Sequence, residues 1–518
     1  MLAEARQLQP NDRVTGKPDA GTCVTVSLYL KDPTKQPCRP GSAEDFASLE
    51  TGATRASLSA QRQAQYAEAA RQAEIFAGQH GLRITDVDLA KRRIRLTGTI
   101  GQMAEAFGAQ FVSCRSGRRM CHSHTTSLLV PEALAPWLRG VLGLDTRPRL
   151  RRRLRSFAVN SDGAALGLWP AEIARLYDIV APSRGAGQCI GIVAPRGGYI
   201  ADDLKLAEQH IGASFPPIAE VGIDLGRNKF GRGTLADQEL ALDLQVAGAV
   251  ATAARIAVYF TDNSEQGLAD AVLAAIHDDQ HRPNVVSISW GASELEWSSY
   301  PQAQQILNDA LSDAVALGVI VTAATGDALA TDAVDDDLVH VNFPASSPYV
   351  LACGGSRIEL AAGGGSITSE AVWNDGARGT GGGISDVFDI PDFQQGLLLP
   401  TSVSTGKSGR GIPDVAGTAA EVNGYRIFVN RKEVLQGGTS AVAPLWAGFI
   451  ALINAERGAA IRRIHPLLYG DLALFRSITQ GNNKVGPLGY DAGPGWNACT
   501  GLGVPLGSTI LAKATAVS

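Results

Sequence analysis

The chain has 518 residues, a net charge of −5, 19% charged side chains and 58 glycines, a balance that suits a loop-rich α/β protein and excludes a basic nucleic-acid binder. No apolar run approaches the roughly 20 residues that a membrane-spanning helix needs. A length of 518 exceeds one hydrophobic core and predicts a large domain joined to a smaller one.

The first residues, Met1-Leu2-Ala3-Glu4-Ala5-Arg6-Gln7, contain no apolar stretch, so no ordinary signal peptide is expected. Residues 1–146 read as the smaller unit. Within it, 23–30 alternates like a strand, and 59–79 has helical periodicity stopped by His80-Gly81. Strands at 82–87 and 93–96, a helix at 100–107 and a strand at 110–114 complete a βαββαβ order, the ferredoxin-like arrangement. From 147 to 155 six of nine residues are arginine, so 147–165 reads as an exposed linker and a candidate processing region.

From Leu168-Trp169-Pro170 onward the pattern changes. β-Branched strands at 188–193, 254–260, 285–289 and 319–324 alternate with helices at 201–211, 237–251, 266–279 and 302–317. Such alternation predicts a parallel sheet covered on both faces. Seven cysteines leave the redox compartment open: Cys23, Cys38, Cys114 and Cys121 lie in the smaller unit, while Cys189, Cys353 and Cys499 are expected as buried thiols.

Three segments carry chemistry. Asp237-Gln238-Glu239-Leu240-Ala241-Leu242-Asp243-Leu244 reads as a buried helix with Glu239 and Asp243 four residues apart, hence on one face. Two acids in apolar surroundings are costly as ions unless they share a proton or find a partner, and such a pair titrates as a unit. The strand at 319–324 ends in Thr325-Gly326-Asp327. Near the C-terminus, Gly437-Gly438-Thr439-Ser440-Ala441-Val442-Ala443-Pro444 sets a serine between a glycine turn and an apolar helix, where unpaired amides favour developing negative charge. A serine nucleophile needs a base. Of eight histidines, His210, His277, His281, His340 and His465 lie in the last two-thirds, none opens a His-Gly-Thr turn, and His80-Gly81 is followed by Leu82. The base is therefore sought among carboxylates.

These motifs, with Val286-Ser287-Ile288-Ser289-Trp290-Gly291, Phe343-Pro344-Ala345-Ser346-Ser347-Pro348, Pro413-Asp414-Val415-Ala416 and Ala492-Gly493-Pro494-Gly495-Trp496, resemble the sedolisins, or serine-carboxyl peptidases, and above all their kumamolisin-like branch. The resemblance covers nearly the whole chain. It implies an α/β, subtilisin-like parallel sheet with helices on both faces at 166–518, preceded by an α+β ferredoxin-like prosegment at 1–146 that acts as folding template and intramolecular inhibitor. It also implies Ser440 as nucleophile, Glu239 as general base and acid, Asp243 as the carboxylate orienting Glu239, and Asp327 as oxyanion donor, with Trp290, Gly438 and Thr439 lining the site. A self-processing zymogen with an acidic optimum, acting on proteins or peptides outside the cell, follows from the same likeness; neither nucleic acid nor membrane is an expected partner. Endopeptidase and tripeptidyl-peptidase both stay open within it. A histidine-dependent subtilisin and a non-catalytic protein on this fold are the rival readings.

Four positions depart from the family. Sedolisins usually bind calcium near the C-terminus through two aspartates and backbone carbonyls, and here Ser477 and Asn497 stand at the aspartate positions beside Ile478, Gly493 and Gly495. Losing two charges weakens a calcium site, so no cofactor is expected to be required, and hydrogen bonds from Ser477 and Asn497 are expected to hold the loop. Ala194 stands where kumamolisin-like relatives carry a glutamate. Asn342 replaces an aspartate near the substrate cleft, so a preference for basic side chains is not carried over.

Overall fold

The computed structural model describes residues 12–34, 38–50, 52–116, 119–148, 156–158 and 167–516. In the smaller unit, Cys23–Leu30, Arg83–Asp88, Arg93–Thr99 and Leu138–Leu142 form one antiparallel sheet. Its order, Arg83–Asp88, Arg93–Thr99, Cys23–Leu30, Leu138–Leu142, is that of a ferredoxin-like sheet. Val26, Leu28, Ile94 and Leu96 point from it into a core with Phe76 and Phe107 of the helices Ala67–Gln79 and Ile100–Phe107.

Two expectations are corrected here. The fourth strand is Leu138–Leu142, not the segment at 110–114. Phe111–Ser116 closes instead on Arg119–His124 through a local hairpin, with Cys114 opposite Cys121, and joins Asp12–Gly16 in a separate sheet. The helix expected at 59–79 is two helices, Arg55–Gln65 and Ala67–Gln79. A Thr54–Ser57 capping box starts the first earlier than the apolar periodicity indicates. The break at Tyr66 turns its ring into the core against Trp137.

The large unit is built on a sheet running Ile218–Gly222, Arg255–Phe260, Cys189–Ala194, Val285–Ile288, Ile320–Ala324, Leu351–Leu360, with Val415–Thr418 also pairing to the last. These strands are parallel, and Ile367–Val372 adds an antiparallel edge. Alternate residues serve two cores, as the period of two requires. Ile190, Ile192 and Val258 face a layer that includes the helices Leu235–Val250 and Val442–Arg457. Val193, Ala257 and Tyr259 face the layer of Glu265–Ile276 and Pro301–Leu317. Ser289 and Asp327 lie just past the carboxyl ends of their strands, where open α/β sheets place ligands.

The small unit docks its sheet on the second layer through buried charge. Arg93 Nη1 and Arg95 Nη2 reach the two oxygens of Asp270 at 2.8 and 2.6 Å, and Tyr29 Oη donates to the same carboxylate at 2.8 Å. Arg62 forks onto Asp313 at 2.7 and 2.5 Å, with His277 Nε2 at 3.0 Å. Although burial opposes ionisation of Asp313, Arg62 and Arg92 hold its carboxyl far below the usual range. Of the 147–165 linker, Ser156–Ala158 runs antiparallel to Lys432–Gln436, the strand that leads into the Ser440 turn. The arginines from 149 to 155 lie outside the described residues.

Asp270→Ala would take from Arg93 and Arg95 their buried partner and leave them only the more exposed Asp86 and Asp224. We expect a loss of about 2 kcal/mol, read as a lower urea midpoint of the intact precursor in a Ser440→Ala background.

Candidate active site

The acid-bearing helix Leu235–Val250 is pinned at its N-terminus by Asp237. The buried Asp237 carboxylate accepts from the backbone N–H groups of Gly198, Gly231, Gly233 and Thr234 at 2.7–3.1 Å and from Thr234 Oγ1 at 2.8 Å. At its other end the helix lies close against Val442–Arg457, because Gly448 leaves room for Val250; a Cβ there would meet Val250 Cβ at 2.7 Å. Glu239 and Asp243 are thereby held one turn apart and each only 1% exposed.

Burial pushes the Asp243 carboxyl up to about 8, against the opposing effect of its bond to Ser289. Ser289 Oγ lies 2.7 Å from Asp243 Oδ1 and 3.3 Å from the Ser440 carbonyl oxygen. A protonated Asp243 can donate to Ser289 while Ser289 donates to that carbonyl, so one hydroxyl joins the acid helix to the serine turn. Trp290 follows Ser289 and is buried.

Ser440 sits in a 3₁₀ turn, Thr439–Ala441, that runs into Val442–Arg457. The acid helix packs against this turn. Ser440 is fully buried, and its Oγ makes no hydrogen bond to a described residue. The turn is shaped by Gly438 at φ 118°, where a Cβ would stand 2.5 Å from Asp327 Oδ2. Thr439 ties it to the strand end: its N–H and Oγ1 donate to Asp327 Oδ1 at 2.8 and 2.7 Å, while the Gly326 N–H donates to Thr439 Oγ1 at 3.1 Å. Asp327 Oδ2 accepts from Arg378 Nη2 at 3.3 Å, and Arg378 also pairs with Glu421.

The histidines are engaged elsewhere. His277 bonds Asp313, His281 bonds Asp278, His340 bonds Asp336, His465 bonds the Val350 carbonyl, and His210 stacks on Trp169 at 3.5 Å. Of the residues named from the sequence, Asp327 is tied to the Ser440 turn through Thr439 and Asp243 through Ser289, while Glu239 lies one turn from Asp243 on the helix packed against that turn. Sequence reasoning missed Ser289, although the motif around Trp290 contains it, and it missed Arg378 and Glu421, whose glycine-rich and turn surroundings carry no local sign of the pairing.

The C-terminal loop does not fit a calcium ion. Asn497 Nδ2 donates to the carbonyls of Ile478 and Gly493 at 3.2 and 3.1 Å, while its Oδ1 accepts from Cys499 N, Thr500 N and Thr500 Oγ1 at 3.0–3.1 Å. Flipping the amide would set donors against donors, so the orientation follows from the network. N–H groups stand where a cation would take carbonyl ligands. Ser477 is exposed and, among the described residues, adds no side-chain bond, so of the two replacements only Asn497 holds the loop; Gly495 takes the turn at φ 72°. Ala194, at a strand end, is buried. Asn342 Nδ2 donates to Asp332 Oδ2 at 3.0 Å.

A model of the subtilase family matches residues 230–462. Kumamolisin of Bacillus sp. (strain MN-32) is 42% identical, over 84% of this chain and 81% of the relative. Tripeptidyl-peptidase sed5 of Aspergillus fumigatus is 30% identical, over 72% and 70%. Among solved structures, Pseudomonas sedolisin, a serine-carboxyl proteinase complexed with two molecules of pseudo-iodotyrostatin, superimposes with a TM-score of 0.59 at 25% identity, covering 68% of this chain and 98% of that one. With 42% identity over most of its length and a serine on a glycine turn beside a buried acid pair, the chain belongs to the sedolisin family of serine-type peptidases, in its kumamolisin-like branch.

Proposed function

We propose that this protein is an acid-acting serine-carboxyl endopeptidase made as a self-processing zymogen, in which Glu239, Asp243 and Ser440 form the catalytic triad. The observation that carries this reading is the acid pair buried on a mostly apolar helix, with the Asp243 carboxyl pushed by burial up to about 8 and Ser289 linking it to Ser440. Glu239 takes the Ser440 proton as Oγ bonds to the peptide carbonyl carbon. The oxyanion so formed is met by the Ser440 N–H and a protonated Asp327. As the C–N bond breaks, Glu239 passes the proton to the leaving amine, and water then repeats both steps on the acyl-enzyme. Because Asp327 donates only when protonated, turnover falls as pH rises towards neutrality. An acid requirement suits an acidic milieu, and an extracellular site of action belongs to the same proposal.

Residues 1–146 act as inhibitor and folding template, with processing in 147–165; the burial of Ser440 in the intact chain supports this. The endopeptidase reading is favoured by 42% identity to kumamolisin, against 30% to a relative named as a tripeptidyl-peptidase. The C-terminal loop works without metal, Asn497 filling the role of a cation.

Incubated at pH 4, the precursor is expected to lose its N-terminal residues up to the linker and then to cut denatured protein at internal bonds. At pH 7.5 it stays whole, as do Ser440→Ala and Glu239→Gln at either pH, while Asp327→Ala retains about a hundredth to a thousandth of the turnover. Mass spectra showing only N-terminal tripeptides would replace the endopeptidase reading; an inert wild type at both pH values would favour the non-catalytic one.

The raised Asp243 carboxyl has a definite sign. From its ordinary value of 3.8 to about 8, the unfolded chain ionises while the folded one keeps its proton, so this contribution to stability is full below pH 3.8 and is lost as pH rises towards 8. In a Ser440→Ala background, Asp243→Asn should therefore gain in melting temperature relative to Asp243 as pH goes from 4 to 8. A chelator should leave the melting temperature unchanged, whereas Asn497→Asp should lower it in metal-free buffer by turning two donors into acceptors.

A further inference from the structure

Arg378 belongs to no motif recognised in the sequence, yet it meets the carboxylate that the proposed mechanism needs as a proton-bearing acid. Its placement is rigid. Gly379 N–H donates to the Asp327 carbonyl at 3.2 Å, Leu329 N–H to the Gly379 carbonyl at 3.0 Å, and Gly381 N–H to the Gly326 carbonyl at 2.8 Å. The two strips lie so close that a Cβ on Gly381 would stand 2.1 Å from the Thr325 oxygen. The guanidinium lies 5.4 Å over the Trp373 ring, and its side chain is only 16% exposed.

Held there, Arg378 reaches Asp327 Oδ2 at 3.3 Å with Nη2 and Glu421 Oε1 with Nη1. Asp327 Oδ1 already accepts two bonds from Thr439. A carboxylate that accepts on both oxygens, one of them from a cation, is arranged as an ion. That opposes donation to an oxyanion. Glu421, 14% exposed and in the turn before Tyr425–Val429, draws on the same guanidinium and weakens its hold.

We propose that Arg378 is a positioning residue that sets the pH at which Asp327 gives up its proton, and with it the upper pH limit of turnover, with Glu421 as the counterweight. Among the described residues, Arg378 from the 373–381 segment and Glu421 behind it are the charged groups paired around Asp327, with Glu239 and Asp243 on the acid helix beyond Ser440, while Thr439 contributes uncharged donors. The guanidinium favours the ionised form, so removing it lets Asp327 keep its proton to higher pH. Removing Glu421 frees Arg378 for Asp327 and has the opposite sign. The inference rests on the peptidase reading for its consequence, though not for the ionisation itself.

The test compares wild type, Arg378→Met, Arg378→Lys and Glu421→Gln by pH profiles of kcat/KM on a denatured protein substrate. In parallel, the ¹³Cγ titration of Asp327 is read in Ser440→Ala proteins, with the resonance assigned by its loss in Asp327→Asn. Arg378→Met is expected to move the alkaline limb and the Asp327 titration up by about one pH unit. Arg378→Lys keeps both near wild type, and Glu421→Gln moves both down. If Arg378→Met lowers activity by one factor at every pH and leaves the titration in place, Arg378 only packs the loop and the proposal is overturned, while wild-type cleavage still supports the peptidase reading. If Arg378→Met moves the Asp327 titration while the wild type cuts nothing, the ionisation stands and the peptidase reading fails.

Discussion

Charge buried in a low-dielectric interior is the constraint around which this molecule is arranged. An isolated carboxylate there is too costly to keep, so it takes a proton, a cation or a set of N–H donors. Glu239 and Asp243 sit buried on a helix lined mostly by apolar side chains, and burial pushes the Asp243 carboxyl up to about 8. Asp237, at the start of the same helix, meets the same constraint through backbone donors from two glycine-bearing loops. One carboxyl thereby anchors the helix on which the acid pair is buried.

Close backbone approach lets these groups act on one another. Gly448 allows the acid helix to lie against the serine helix, Gly438 makes room for Asp327, and Gly381 brings the Arg378 segment onto the end of the central strand. Each contact leaves too little room for a Cβ. The result is a serine turn held from two directions, by Ser289 through the Ser440 carbonyl and by Thr439 through Asp327. A serine so fixed has little conformational freedom left to lose.

The same economy of charge appears away from the site. The small unit brings arginines to the buried acids Asp270 and Asp313 of the large one, so docking and charge compensation are one event. In the C-terminal loop the solution is reversed. Asn497 presents an amide whose two N–H groups meet two carbonyls and whose oxygen meets three donors, so a neutral side chain satisfies these backbone groups.

The residues of the candidate site were legible because their signals are local. Glu239 and Asp243 share a face by a spacing of four, Ser440 follows two glycines, and Asp327 ends a β-branched run; each is decided by steric and hydrogen-bond rules acting within one or two turns of chain. The parallel sheet with its two helical layers was legible for the same reason. By itself the sequence thus determined the fold class and the peptidase family, and it named Ser440, Glu239, Asp243 and Asp327 as the candidates for the site. Only the tertiary structure decided that Leu138–Leu142 rather than Phe111–Ser116 completes the small sheet, that Ser289 bridges to Asp243 over 46 positions, that Arg378 divides itself between Asp327 and Glu421 at separations of 51 and 43, and that Asn497 faces the Ile478 carbonyl. Such pairings depend on which distant segments the closed chain brings together, and no local preference of the residues involved encodes that closure.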